Sequence, residues 1–110
     1  ASIPEHGFAG ITNNFTVELW VNPAADRGSI PETVSSQTGI GTGQRYAVFP
    51  THGDNSYGAG HAGAGLSIGA NGVAVIEHAG FYIPSPLVFD GPIHGWTHLA
   101  VVYANGTPAL

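Results

Sequence analysis

The sequence predicts an all-β fold, an antiparallel jelly-roll sandwich. Apolar residues recur with period two in several short segments, and no segment shows a 3.6-residue period or a heptad. The 110 residues include 17 glycines and 8 prolines, which divide the chain into many short strands joined by turns. One domain spanning residues 1–110, without a linker, suits this length.

Phe15–Asn22 is the first strand. Phe15, Val17, Leu19 and Val21 share one face; Thr16, Glu18, Trp20 and Asn22 share the other. Pro23 ends the run because proline has no amide hydrogen for a ladder. Residues 24–44 read as a long loop with a weak strand at 33–37. A strand over Arg45–Thr51 stops near Pro50, and residues 52–63 form a second long loop, of a length that often carries function. Gly65–Gly69 and Val73–His78 flank Asn71-Gly72, whose tolerance of positive φ predicts a hairpin closed by a type I′ turn. Short strands follow at Phe81–Ile83 and Leu87–Phe89. Thr97–Ala104 is apolar on both faces, which predicts a central strand. Asn105-Gly106 is a further turn with only Thr107–Leu110 after it. Without a return strand, the sandwich is expected to be incomplete at its C-terminal end.

Composition narrows the function. The chain has two cations, Arg27 and Arg45, no lysine, and a formal net charge of −5. A nucleic-acid partner needs a basic stripe to displace counterions, and anionic lipid needs a basic patch; both partners are therefore disfavoured. No apolar run approaches the ~18 residues of a membrane span. The absence of cysteine excludes disulfides and thiolate metal sites. The absence of methionine, even at position 1, leads to the expectation that the chain is processed, excised or built from a later part of a longer protein. With 43% hydrophobic residues, a packed core is expected despite the low charge.

Three segments carry a family resemblance. Phe-Thr-Val-Glu-Leu-Trp-Val-Asn-Pro (15–23) resembles the opening strand of laminin G-like domains in the concanavalin A-like superfamily. Gly-Trp-Thr-His-Leu-Ala-Val-Val-Tyr (95–103) resembles one of their late strands, and residues 62–78 are similar to a bacterial branch found in large secreted proteins. The resemblance implies a concanavalin A-like jelly roll, a secreted or cell-surface location, and a role in adhesion or carbohydrate binding. It also implies further strands where this chain stops, and therefore a partner: a complementing β-strand from another chain or a second copy of this one.

The candidate chemistry lies in loops and on strand faces. His52, Asp54 and His61 share the 52–63 loop, and imidazole with carboxylate suits zinc or copper. The same loop holds Asn55 and many backbone carbonyls, which suit calcium. The resemblance implies calcium at loop edges, with Asp54 as its first ligand and Asn55 as its second; Asp26 and Asp90 are weaker candidates. Glycoside hydrolysis needs two carboxylates roughly 5–10 Å apart. The Glu-x-Asp-x-x-Glu strand of the superfamily's glucanases is absent, and Glu18 and Glu77 are each alone on their strands, where each is expected to solvate an exposed face. The chain thus reads as non-enzymatic. His78 and His98 read as structural histidines. Trp20, Tyr57, Phe81 and Tyr82 are rings on which a sugar can stack, with Glu18 beside Trp20 to read hydroxyls; a Trp20 buried in the core is an equally open reading. The leading expectation is an extracellular binding or adhesion module with a glycan ligand. The alternatives are a structural subunit completed by another strand and a glycan-active enzyme.

Overall fold

A computed structural model describes residues 11–28, 43–49, 63–78 and 85–110. They form two antiparallel sheets packed as a β-sandwich, with no helix among the described residues. The strands are β1 (Phe15–Val21), β2 (Tyr46–Val48), β3 (Gly63–Gly69), β4 (Gly72–His78), β5 (Leu87–Asp90), β6 (Thr97–Ala104) and β7 (Thr107–Ala109). One sheet has the order β1-β6-β7, the other β2-β3-β4-β5. The strands expected at 33–37 and Phe81–Ile83 lie outside the described residues.

The period-two pattern becomes the core directly. β1 pairs with β6 from Phe15↔Tyr103 to Val21↔Thr97, so Phe15, Val17, Leu19 and Val21 face inward beside Leu99, Val101 and Tyr103. Leu66, Ile68, Val73 and Val75 meet them from the other sheet, and Ile93 closes the cluster. Each such side chain contributes about 1.5–3 kcal/mol when fully buried. β6 is central, as its sequence predicts. Its outer face is nevertheless open, since Val102 is 45% exposed. The other sheet is buried on both sides at β4, where Ala74, Ile76 and His78 join Val73 and Val75 as buried residues. His78, expected to be structural, is fully buried.

One turn expectation is corrected, and so is the expectation that no return strand follows Asn105-Gly106. The β3–β4 hairpin forms, but its pairs close at Gly69↔Gly72, so the loop residues are Ala70 and Asn71. Neither has positive φ; the positive value, 131°, is at Gly72, so the turn is not the expected type I′. Asn71 instead clamps a distant segment. Its side-chain oxygen accepts from the Arg27 amide at 2.9 Å, and its side-chain nitrogen donates to the Arg27 carbonyl at 3.0 Å. A type I′ geometry occurs at Asn105 (φ 52°) and Gly106 (φ 78°). It leads into a return strand that the sequence pattern does not announce, with Ala104↔Thr107, Tyr103↔Pro108 and Val102↔Ala109 as pairs.

Arg27 is the unexpected core residue. Its side chain is 1% exposed, while that of its partner Asp90 is 70% exposed, with 2.6 Å between Nη2 and Oδ1. Nη1 donates to the Gly28 carbonyl at 2.8 Å and Nη2 also to the Phe89 carbonyl at 3.3 Å. This places the 25–28 segment against the hairpin turn, where Ala70 N donates to Ala25 O at 3.0 Å. The packing leaves no room at Gly69: a Cβ there would overlap the Arg27 amide nitrogen.

At the other end of the sandwich, Tyr103 stacks on its cross-strand neighbour Phe15, with centroids 4.4 Å apart. Its hydroxyl crosses to the opposite sheet and donates to Glu77 Oε1 at 2.9 Å. Glu77 is therefore not the solvated surface carboxylate expected from the sequence; it shares the inward face of Val73 and Val75. Burial raises the Tyr103 pKa well above the ordinary phenol value of 10.0, and the Glu77 hydrogen bond and negative charge raise it further.

Two stability experiments follow. Gly69→Ala should cost more than about 4 kcal/mol in urea unfolding, because the clash is with backbone. Gly106→Ala meets nothing within 4 Å and should cost only the left-handed conformation, about 1–2 kcal/mol. Similar losses for the two variants would contradict the packing at Arg27. For Tyr103, the folded state holds the phenolic proton more tightly than the unfolded one. The stabilisation is full below pH 10.0 and is lost as pH rises above it. Tyr103→Phe should flatten the fall of the urea midpoint above about pH 10; an unchanged alkaline slope would contradict the assignment.

Candidate functional site

The β1–β6 register sends Thr16, Glu18 and Trp20 away from the core. Trp20 lies opposite His98 and Glu18 opposite Ala100. Trp20 is 65% exposed, which resolves its two readings in favour of the surface. Its ring centroid lies 5.2 Å from that of His98 at an interplanar angle of 44°, and Glu18 Oε2 lies 3.8 Å from His98 Nε2. His98, expected to be structural, is thus a surface neighbour of Trp20.

An open groove of about 860 Å³ runs where the end of β1, the edge strand β2 and the segment before β6 meet. Its rings are Trp20, Trp96, Tyr46 and Phe49, and its polar groups include Asn22 and Arg45. Trp96 is 71% exposed and follows Gly95, whose φ of 67° turns the chain outward just before β6. β2 is irregular: Tyr46 pairs with Ser67 and Val48 with the adjacent Leu66. This bulge turns Val48 to the core and leaves Tyr46 and Phe49 in edge-to-face contact, with centroids 4.9 Å apart.

Arg45 is held at three points. Its amide donates to Ser67 Oγ at 3.0 Å, its carbonyl accepts from Ile68 N at 2.9 Å, and its Nε donates to Asp26 O at 2.6 Å. Ser67 in turn donates to Gln44 Oε1 at 2.6 Å inside the sheet. The groove therefore presents a guanidinium anchored at Nε among exposed and partly exposed rings. Such a surface can stack the C–H face of a flat ligand and donate hydrogen bonds to oxygens at its rim.

Of the residues singled out in the sequence, Trp20 borders this groove and Glu18 lies on the same outer face two residues away. Tyr57, Phe81, Tyr82, His52, Asp54, Asn55, His61 and the 52–62 part of the second loop lie outside the described residues. Among the described residues no three His, Asp or Glu side chains gather as a metal-binding group. Asp90 is a poor cation ligand here, because its Oδ1 already faces the Arg27 guanidinium. Glu18 points away from the sandwich and Glu77 into it, so the two carboxylates do not flank a common space. Trp96, Tyr46, Phe49 and Arg45 do not stand out as site residues in the sequence. The signal for Trp96 is its position before, and so outside, the alternation of β6. The signal for Arg45 is that a chain with two cations has few ways to recognise an anion.

No protein-family model, curated protein or solved structure matches the chain.

Proposed function

We propose that the chain is a non-catalytic, extracellular binding or adhesion module of the laminin G-like, concanavalin A-like jelly-roll type, and that its ligand is a glycan. The observation that carries this reading is the pair of strongly exposed tryptophans, Trp20 and Trp96, bordering one groove with Tyr46 and Phe49. Large aromatic side chains left in water cost hydrophobic stabilisation, and grouped in a groove they suit a ligand with apolar faces and polar edges. A pyranose ring has that character: C–H groups on its faces and hydroxyls around its rim. The divergent directions of Glu18 and Glu77 weigh against glycoside hydrolysis, which needs two carboxylates across one bond.

One observation favours a second reading, a structural subunit completed by another strand. Among the described residues, β6 pairs with β1 over its length but with β7 only at Val102, Tyr103 and Ala104, so Thr97–Val101 have a described strand neighbour on one side alone. Such an edge accepts an added strand. Size-exclusion chromatography separates the readings: a binding module elutes as a monomer, and a second copy seated along β6 gives a dimer.

A glycan array, run with and without calcium, tests the first reading. The chain should bind at least one glycan class, and Trp20→Ala and Trp96→Ala should each weaken that binding by about tenfold, the loss expected for a stacked ring. Dependence on calcium would assign the ion to the ligand site. Absence of binding in both conditions, or binding indifferent to both tryptophans, would overturn the proposal.

A further inference from the structure

The charges around the groove are unevenly placed. Among the described residues, Arg45 is the single cation lining it, and no carboxylate lines it. The chain's other cation, Arg27, is buried against Asp90 and inaccessible to a ligand. Arg45 Nε is committed to the Asp26 carbonyl at 2.6 Å, which anchors the guanidinium at one edge. Its two Nη groups make no hydrogen bond or ion pair with the described residues. A planar guanidinium held by Nε, with its terminal donors open, is a geometry for a carboxylate: two parallel N–H···O bonds, stronger than neutral ones and directional.

Resting on the glycan reading above, we infer that the groove selects carboxylated sugars. The rings of Trp20 and Trp96 carry the pyranose, and the Nη groups of Arg45 take its carboxylate. The side-chain amide of Asn22, exposed at the end of β1, lies in the same lining and serves neighbouring hydroxyls. A neutral sugar would leave the donors of Arg45 to water and gain only the stacking.

Titration calorimetry on the intact chain, with three probes, tests this. Oligogalacturonate and sialyllactose supply the carboxylate from a uronic and a sialic acid, respectively; carboxyl-reduced oligogalacturonate of the same length supplies the neutral control. At least one acidic probe should bind about tenfold more tightly than the neutral one, and added salt should erode that preference. Which acidic probe binds identifies the source of the carboxylate. Arg45→Gln, which keeps a donor for the Asp26 carbonyl, should abolish the preference while neutral binding stays within about twofold; Arg45→Lys should restore part of it. Equal affinity of the unsubstituted chain for acidic and neutral probes would overturn the inference and leave the glycan reading standing, provided the binding depends on Trp20. A preference that survives Arg45→Gln would also overturn it. No Trp20-dependent binding of any probe, nor of any glycan on the array, would remove both.

Discussion

The buried Arg27 guanidinium organises one end of this sandwich. Arg27 joins segments far apart in sequence: its backbone holds the β3–β4 turn through Asn71, and its guanidinium holds Gly28 of its own 25–28 stretch and the end of β5 through Phe89 and Asp90. Removing a guanidinium from water is expensive, and it is tolerated only where carbonyls and a carboxylate replace the lost hydration. Two carbonyls and Asp90 do so here, while Nε has no partner among the described residues. Because Asp90 stays largely in solvent, only one of the two charges is fully desolvated. Lysine would not replace this arginine, since a single ammonium cannot span three acceptors in one plane.

The same segment reaches the groove. Gly28 N donates to Gly43 O at 2.7 Å, Gln44 Nε2 approaches Gly28 O at 3.4 Å, and Asp26 O accepts from Arg45 Nε. Arg27 therefore fixes the 25–28 backbone, and that backbone aims Arg45. One arginine is committed inside to hold a short irregular stretch, so that the other is held outside without a helix or strand beneath its side chain. A loop placed this way behaves as part of the rigid scaffold, and its side chain arrives at the groove with much of its rotamer freedom already removed.

Strand positions are legible in the sequence because period two with one buried face leaves a direct trace. Phe15–Val21 and Thr97–Ala104 are readable nearly to the residue, and the inward set of each strand is the observed core. What escapes is every feature set by contact between distant segments. The Asn71-Gly72 dipeptide suggests a type I′ turn by local preference, but the demand of the Arg27 backbone on the Asn71 side chain prevails. Glu77 looks like a surface carboxylate by its charge, yet it shares the inward face of Val73 and Val75, and a tyrosine 26 residues away hydrogen-bonds it there. The exposure of Trp20 is legible in the company it keeps, since Thr16, Glu18 and Asn22 share its face; only the size of its ring suggests the core. The groove is invisible in the sequence because its rings come from β1, β2 and its end, and the residue before β6.

The charge pattern has two scales that pull in opposite directions. With a formal charge of −5, the chain as a whole repels anions. That repulsion acts at long range and is screened beyond about 8 Å at physiological ionic strength. At contact distance the field is set by the nearest groups, and among the described residues of the groove these are one guanidinium and no lining carboxylate. A small anion therefore meets a weak barrier on approach and a local attraction on arrival, which favours selectivity over rapid capture. The surface thus suits flat-faced ligands that place one carboxylate and one ring within a few ångströms of each other.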